Sequence, residues 1–176
     1  RFVSGITTTM TDVDELTGLL SRTAMERDLD REQAQARRTG RSFTIAMVDA
    51  DHFKKVNDDY GHGFGDEVLE ILAERFVESL RPRDRVYRYG GEEFLVLLPD
   101  TSLDKAKPVL ERLRRLACAR EISNGDSTVI QSVSIGAAEV DENEDIKVAI
   151  ERADRALYCA KEAGRNRVEL EWREVR

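Results

Sequence analysis

The sequence predicts an α+β fold in which helices pack over a mainly antiparallel sheet. Three observations support this fold class: apolar residues recur at helical spacing in several segments, short apolar runs of strand length separate these segments, and a Gly-Gly pair joins two of the runs as a hairpin. The 176 residues are sufficient for one hydrophobic core, and the sequence contains no internal repeat. We therefore expect one domain.

Capping residues, glycines and changes of periodicity delimit the predicted elements. Ser21 is the predicted N-cap of the first helix, which ends at Gly40, and Gly164 closes the last helix at its C-terminal cap. A capping box begins at Thr101, and Pro108 then predicts a late start or a kink in the following helix. In chain order, the predicted elements are a helix over 21–39, a strand over 42–48, helices over 52–59 and 66–80, hairpin strands over 84–89 and 94–98, a helix over 101–117, a strand over 128–138, a helix over 145–163 and a strand over 167–172.

The composition limits the functions that the chain can have. Its 28 basic and 35 acidic residues give a net charge of −7, which argues against general affinity for nucleic acid or an anionic membrane. No apolar run approaches the length of a membrane span and no signal peptide is visible, so neither nucleic acid nor membrane is an expected partner. Cys118 and Cys159 have no metal or redox spacing and are expected to be reduced thiols, consistent with a cytoplasmic setting.

Residues 1–13 are polar and threonine-rich. We expect them to be the end of a linker, or of a helix arriving from an upstream region of a longer protein. The domain itself is predicted to span residues 14–176.

The hairpin carries two adjacent carboxylates, which indicate a metal site. Glu92 and Glu93 follow the Gly90-Gly91 turn, where a cation between them and a partner would relieve their repulsion. Asp49 follows the first predicted strand, and the carbonyl of Ala50 would add a hard oxygen ligand. If this strand lies beside the hairpin, Asp49 and Glu92 meet around Mg²⁺, with water and a phosphate completing the shell. The alternative is an ordinary hairpin with an acidic tip and a solvated loop aspartate.

Polar residues around the glycine-punctuated segment 60–66 are candidate ligands of a nucleobase. The amide oxygen of Asn57 and the carboxylate of Asp66 suit guanine, whose N1–H and N2–H₂ groups are donors, whereas adenine presents an unprotonated N1. The alternative is that Asn57 ends one helix and Asp66 is the N-cap of the next. His62 is interpreted as a turn residue or a substrate contact.

Three basic side chains are candidate phosphate ligands. Lys161 and Arg165 lie four residues apart across Gly164, and Lys54 follows the strand that leads to Asp49. A lysine in the last helical turn also complements the helix dipole, and Lys54 equally fits a solvated face. Both interpretations stay open at this point.

Together these segments resemble the GGDEF family of diguanylate cyclases, over nearly the whole chain from Asp14 to about Glu169. The signature has glutamate in its third position, a variant that the family accepts. The resemblance rests on several motifs in matching order and separation. They are Gly90-Gly91-Glu92-Glu93-Phe94, Asp14-Glu15-Leu16-Thr17-Gly18-Leu19, Asp49-Ala50-Asp51-His52-Phe53-Lys54, Asn57-Asp58-Asp59-Tyr60-Gly61-His62 with Gly65-Asp66, Ser134-Ile135-Gly136, Ala153-Asp154-Arg155-Ala156-Leu157-Tyr158, and Lys161 with Gly164-Arg165-Asn166-Arg167.

The resemblance implies a polymerase-palm-like, nucleotide-cyclase-like α+β fold that joins two GTP molecules into cyclic di-GMP and releases two pyrophosphates. Each domain would bind one GTP, and a face-to-face homodimer would let the 3′-hydroxyl of one GTP attack the α-phosphate of the other. An upstream sensory or regulatory domain would control this dimer. Asp66 favours guanine at both positions of the product.

The resemblance also implies a role for each matching residue. The Mg²⁺ ligands would be Asp49, the Ala50 carbonyl and Glu92, with Mn²⁺ as an alternative ion. Glu92 would also be the proton acceptor, Glu93 would assist a second metal, and Lys54 would offset charge in the transition state. The substrate-binding residues implied in the same way are Asn57, His62, Asp66, Phe53, Gly91, Lys161 and Arg165.

Arg81-Pro82-Arg83-Asp84 matches the Arg-x-x-Asp inhibitory site of the family, at the expected distance before Gly90. Product bound there would lock the domains in a nonproductive arrangement. Arg112 resembles the secondary arginine that a neighbouring domain contributes, and Arg114 and Arg115 lie close to it in sequence. Two other functions compete with the cyclase: a catalytically silent receptor of cyclic di-GMP, and a GTP-binding regulatory module.

Overall fold

The computed structural model describes residues 12–172; the prediction for residues 1–11 and the predicted end of the domain at 173–176 lie outside this range. Helices and strands alternate along the chain. They are α1 (Arg22–Thr39), β1 (Phe43–Ala50), α2 (Phe53–Tyr60), α3 (His62–Ser79), β2 (Arg85–Gly90), β3 (Glu93–Leu98), α4 (Leu103–Ala117), β4 (Ile122–Ser123), β5 (Thr128–Val129), β6 (Val133–Val140), α5 (Ile146–Glu162) and β7 (Val168–Glu171).

A five-stranded sheet has the order β2-β3-β1-β6-β7. Three of its four pairings are antiparallel, and only β6 and β7 run parallel. The short strands β4 and β5 form a separate antiparallel hairpin. The sheet is therefore mixed and mainly antiparallel, as predicted.

The central strand β1 is buried along its whole length because helices cover both faces of the sheet. Successive side chains of a strand point to opposite faces. Ala46 and Val48 accordingly belong to the core formed with α2, α3 and α4, whereas Ile45 and Met47 belong to the core formed with α1 and α5. This alternation places Asp49 on the face that α5 covers.

Two predicted boundaries differ from the structure. The helix predicted over 66–80 begins four residues earlier, at His62, because the glycines of this segment lie inside its first turn. The strand predicted over 128–138 is two strands, β5 and β6. Gln131 interrupts it, since its buried side chain donates hydrogen bonds to the carbonyls of Asp51 and Ser132.

The predicted capping box at Thr101 is wrong. The N-cap of α4 is Ser102, which makes no side-chain capping bond. The Thr101 hydroxyl instead donates to the carbonyl of Pro99, and the carboxylate of Glu139 accepts the N–H of Leu103. Pro108 lies inside α4, which starts at Leu103, so the late start does not occur.

The first two described residues, Asp12 and Val13, contact the rest of the domain. Asp12 is buried and forms an ion pair with Arg27, at 3.2 Å. The adjacent Val13 pairs with Leu20, and Leu20 in turn lies beside Tyr87 of β2. Within residues 12–172, no helix has the length and apolar character needed to cross a membrane.

Candidate functional site

The end of β1 and the β2–β3 turn meet at one edge of the sheet. Asp49 lies directly opposite Glu93 in the β1–β3 register, and the N–H of Ala50 donates to the carbonyl of Glu92 at 3.2 Å. Gly91 in the turn has φ of 50°, a left-handed conformation that favours glycine. The structure thus brings together Asp49, Ala50, Glu92 and Glu93.

Lys161, from the last turn of α5, lies beside this acidic group. Its Nζ atom is 2.9 Å from Oδ2 of Asp49. Burial raises the pKa of the Asp49 carboxyl, the Lys161 ammonium opposes that shift, and the negative charges of Glu92 and Asp51 add to it. The lysine therefore compensates the local negative charge only in part.

Glu93 is also surrounded by unfavourable negative charge. Burial raises the pKa of its carboxyl, and the charges of Asp49, Asp154 and Glu92 contribute in the same direction. Several carboxylates in a half-buried place are better accommodated when a divalent cation shares their oxygens.

The donor set fits Mg²⁺ or Mn²⁺. Asp49 and Glu92 supply two carboxylates, the number that Mg²⁺ sites typically take from protein before water and substrate phosphate fill the shell. Within residues 12–172, no group of three or more His, Cys, Asp or Glu side chains is arranged to hold a metal. A cation bound by Asp49 and Glu92 would also need backbone carbonyl, water or phosphate oxygens as ligands.

The α2–α3 junction holds the residues predicted for guanine. A Cβ atom on Gly65 would lie 1.9 Å from Oδ1 of Asn57 and 3.2 Å from the ring of Phe53, so glycine there leaves room for both side chains. His62 opens α3, and Asp66 follows Gly65 on the same helix; both are exposed. Because α3 has Gly61 as its N-cap, the alternative role of Asp66 as an N-cap is excluded.

Lys54 is exposed in the first turn of α2, next to the buried Phe53. His52, the N-cap of α2, has φ of 52°, a left-handed conformation that turns the chain sharply after Asp51. The turn places the start of α2 beside the edge that carries Asp49.

Lys161 and Arg165 are held by a regular C-terminal cap of α5. The N–H of Arg165 donates to the carbonyl of Ala160 at 2.9 Å, and that of Gly164 donates to Lys161 at 3.3 Å. This pair of bonds, with Gly164 at φ of 118°, is the Schellman arrangement that a helix-ending glycine predicts.

The arginine and the aspartate of the Arg-x-x-Asp segment form hydrogen bonds with each other. The Arg81 guanidinium donates to both oxygens of Asp84, at 2.9 and 3.0 Å, and to the hydroxyl of Thr101. The Asp84 side chain is fully buried beneath it. Arg112 donates to the carbonyl of Ser79 at the end of α3, close to this segment, whereas Arg114 bonds to Glu111 and to Asn166.

Arg88 is a residue of this region for which the sequence predicts no role. Its guanidinium donates twice to the carbonyl of Gly91, at 3.1 and 2.9 Å, and forms an ion pair with Asp14 at 3.2 Å. Arg88 thereby ties the Gly-Gly turn to the turn at Asp14–Thr17. Its position two residues before the Gly90-Gly91 turn is the one sequence signal for such a contact, and the strand pattern there predicts only a residue of β2.

Asp51 is a second site residue for which the sequence predicts no role beyond its place in the motif that begins at Asp49. Its carboxylate accepts hydrogen bonds from Ser132, Ser134 and the backbone N–H of Asn166. No local sequence pattern predicts these partners, because they lie at or just before the start of β6 and on the α5–β7 connection.

Comparison with known proteins identifies the family to which the chain is similar. Residues 11–167 match the family described as diguanylate cyclase, GGDEF domain. Diguanylate cyclase DgcP of Pseudomonas aeruginosa is 44% identical over 157 residues, which make up 89% of this chain and 23% of that protein. Diguanylate cyclase DosC of Escherichia coli is 40% identical over 160 residues, or 90% of this chain and 35% of DosC. The chain thus spans a minor part of the length of these relatives.

A solved structure is similar over almost all of both chains. The GGDEF domain of DgcB from Caulobacter crescentus, described in complex with c-di-GMP, has 35% sequence identity and a TM-score of 0.87, and the match covers 92% of this chain and 96% of that chain. The predicted α+β, nucleotide-cyclase-like fold class is confirmed. With the family match over residues 11–167, these similarities show that the chain belongs to the GGDEF-domain family of diguanylate cyclases.

Proposed function

We propose that this domain condenses two GTP molecules into cyclic di-GMP and two pyrophosphates. The observation that carries the proposal is the meeting of Asp49 and Glu92 at the β2–β3 turn, with Lys161 at 2.9 Å from Asp49. A divalent cation held by Asp49, the Ala50 carbonyl and Glu92 would neutralise the triphosphate and lower the pKa of the attacking hydroxyl.

The residues of this chain position one GTP. Asn57 and Asp66 accept the N1–H and N2–H₂ donors of guanine, with His62 beside them and Phe53 against the base. Lys54, Lys161, Arg165 and the backbone at Gly91 hold the phosphates. In each transfer, a bond forms between a 3′-oxygen and an α-phosphorus, the bond from that phosphorus to the β-phosphate oxygen breaks, and pyrophosphate leaves. The hydroxyl proton passes to Glu92 or to water.

The reaction requires two domains, since one domain binds one GTP. Phosphoryl transfer depends mainly on positioning and on charge stabilisation, so a homodimer that aligns two half-sites is itself part of the catalyst. An upstream regulatory region would set the population of this dimer.

Product inhibition through Arg81, Asp84 and Arg112 is a further part of the proposal. A guanine base offers the N–H donors that Asp84 accepts, and an arginine fork binds guanine and phosphate. Product would have to replace the existing Arg81–Asp84 bonds, at 2.9 and 3.0 Å, at least in part. The similarity to a GGDEF domain described in complex with c-di-GMP supports this site.

The proposal is tested by incubating the purified chain with Mg²⁺ and either GTP or ATP, over a wide dilution series. We expect cyclic di-GMP and pyrophosphate from GTP alone, with specific activity that rises with protein concentration. Arg81→Ala should keep this activity and become insensitive to added cyclic di-GMP. Absence of product from a chain that has been dimerised artificially would contradict the cyclase proposal, and flat specific activity would contradict the dimer requirement.

A further inference from the structure

The connection between α5 and β7 has an unusual backbone. Gly164, Arg165 and Asn166 all have positive φ, at 118°, 63° and 46°. The first is the glycine of the helix cap, but arginine and asparagine adopt this conformation at an energetic cost. Such a conformation persists only where surrounding contacts impose it, so something must hold the segment 164–166, which we call the phosphate loop.

Asp51 holds this loop from beneath. Its Oδ2 atom accepts the backbone N–H of Asn166 at 3.1 Å and the hydroxyl of Ser132 at 2.7 Å, and its Oδ1 atom accepts the hydroxyl of Ser134 at 2.6 Å. Only 6% of the residue is exposed. A carboxylate acceptor makes a stronger bond to a backbone N–H than a neutral acceptor does, and burial strengthens it further.

The backbone N–H and the backbone carbonyl of Asp51 are themselves hydrogen-bonded. Its N–H donates to the carbonyl of Ser132 at 3.0 Å, and its carbonyl accepts from the side chain of Gln131 at 2.8 Å. The anchor therefore moves with the rigid end of β1 and the start of β6. Asn166 is also held from the other side, where its Oδ1 atom accepts from Arg114 at 2.9 Å.

Two aspartates at the end of β1 thus fasten the same end of α5. Asp49 contacts the Lys161 side chain, and Asp51 contacts the loop that carries Arg165. Asp51 follows β1 in a turn, and its carboxylate bonds to Ser134 and to the phosphate loop after α5, so it lies on the same face of the sheet as Asp49. The metal ligand and the loop are therefore placed by one rigid segment.

We propose that Asp51 is a positioning residue that sets the phosphate loop, and with it Arg165, against the triphosphate of the nucleotide. This inference rests on the proposed function, in which Lys161 and Arg165 bind phosphate. Asp51 contacts neither substrate nor metal in this role. It acts by holding Arg165 in a conformation that the arginine would not otherwise adopt.

Two nucleotides, one with a triphosphate and one with a single phosphate, distinguish contacts to the β- and γ-phosphates from contacts to the rest of the nucleotide. Binding of 3′-deoxyGTP, which has no attacking hydroxyl, and of GMP is measured by calorimetry with Mg²⁺. Asp51→Ala should weaken binding of 3′-deoxyGTP about tenfold, as expected for one lost charge-assisted hydrogen bond, and leave GMP binding within about twofold. Asp51→Asn should restore most of the affinity, since its amide oxygen can accept the Asn166 N–H and the serine hydroxyls can reorient.

Asp12→Ala is the matched control, because Asp12 is an equally buried aspartate that contacts Arg27 instead of the loop. It should bind both nucleotides as the unmodified chain does. If Asp51→Ala fails to melt cooperatively, Ser132→Ala replaces it: loss of one donor to the same oxygen should weaken 3′-deoxyGTP binding selectively, by about threefold.

Unchanged 3′-deoxyGTP binding in the folded Asp51 variant, or an equal loss for 3′-deoxyGTP and GMP, would overturn the inference. The variant Arg165→Ala shows which part of the inference is wrong in that case. If Arg165→Ala weakens 3′-deoxyGTP binding and Asp51→Ala does not, the positioning role alone is wrong. If Arg165→Ala has no effect, the phosphate role of the loop is wrong, and the inference fails with it.

Discussion

At the α2–α3 junction, the missing side chain of Gly65 decides where the amide of Asn57 can lie. A Cβ atom there would be 1.9 Å from Oδ1 of Asn57, so Gly65→Ala must displace that side chain. We expect the KM for GTP to rise about tenfold through loss of one guanine hydrogen bond, with a modest fall in the thermal midpoint because the added Cβ also lies 3.2 Å from the ring of Phe53. Steady-state kinetics and a melting curve measure both quantities.

Gly63→Ala is the control for this prediction. Gly63 lies two residues earlier on α3, and its added Cβ would have open space on every side. Alanine inside a helix is also preferred over glycine by roughly 0.5–1 kcal/mol. A similar rise in KM for both variants would show that the effect has nothing to do with Asn57.

Single residues of the site were predictable where local pattern determines their position. Asp49 follows an apolar run of strand length, and Glu92 follows a Gly-Gly turn, so each could be placed at an element end from the sequence. Asp51 could not be assigned a role, because its partners Ser134 and Asn166 are 83 and 115 residues away. Arg88 was missed for the same reason, since its ion-pair partner Asp14 is distant in sequence.

Strand β6 and helix α5 approach so closely that the contact admits only glycine. A Cβ atom on Gly136 would lie 2.0 Å from the backbone N of Leu157 and 2.3 Å from the carbonyl oxygen of Ala153. These atoms belong to a helix and cannot rotate away. Gly136→Ala should therefore lower the free energy of unfolding by about 2 kcal/mol or more, measured by urea denaturation. The same Gly63→Ala variant is the control, and equal stability of the two would contradict this packing.

The turn at Asp14 is joined to β2 and the hairpin through charge. Burial of Asp14 acts to raise the pKa of its carboxyl, but hydrogen bonds from Thr17 and the charge of Arg88 prevail, and the pKa lies below its ordinary value of 3.8. The stabilisation is therefore present above pH 3.8 and is lost as the pH falls through the folded-state pKa.

Asp14→Asn should accordingly cost about 1 kcal/mol of stability at pH 7. The difference from the unmodified chain should shrink as the pH falls below the ordinary range of an aspartate. Urea denaturation at a series of pH values measures it, and Glu15→Gln, at the exposed neighbouring position, should have no effect. A difference that persisted undiminished in acid would mean that the carboxylate charge is not the cause.

Element boundaries were harder to predict than the elements. The start of α3 was placed too late because glycines usually signal a loop, whereas here the close approach of Asn57 and Phe53 requires Gly65 within a helix. The break between β5 and β6 depends on Gln131, whose side chain reaches a carbonyl 80 residues away. Long-range contacts of this kind leave no periodic signal.

At the scale of the whole molecule, the sheet order β2-β3-β1-β6-β7 explains why the candidate site residues lie together at one edge of the sheet. The middle strand ends at Asp49 and Ala50, the hairpin turn lies on one side, and the α5–β7 connection lies on the other. In a chain with net charge −7, the proposed triphosphate site would need local cations to oppose that charge, and Lys161 lies at this edge, 2.9 Å from Asp49. The sequence predicted the elements, but their neighbourhood followed only from the topology.

The most direct test is the rate of cyclic di-GMP formation from GTP and Mg²⁺ by the unmodified chain and by Glu92→Gln, both dimerised artificially. Removal of a group that only hydrogen-bonds to a metal ligand typically lowers metal affinity or activity about 10–100-fold. Removal of the proposed ligand carboxylate itself should therefore lower the rate by at least about a hundredfold. The thermal midpoints should remain similar, because Glu92 lies at a turn. A Glu92→Gln rate close to that of the unmodified chain would contradict the assignment of catalysis to this edge of the sheet.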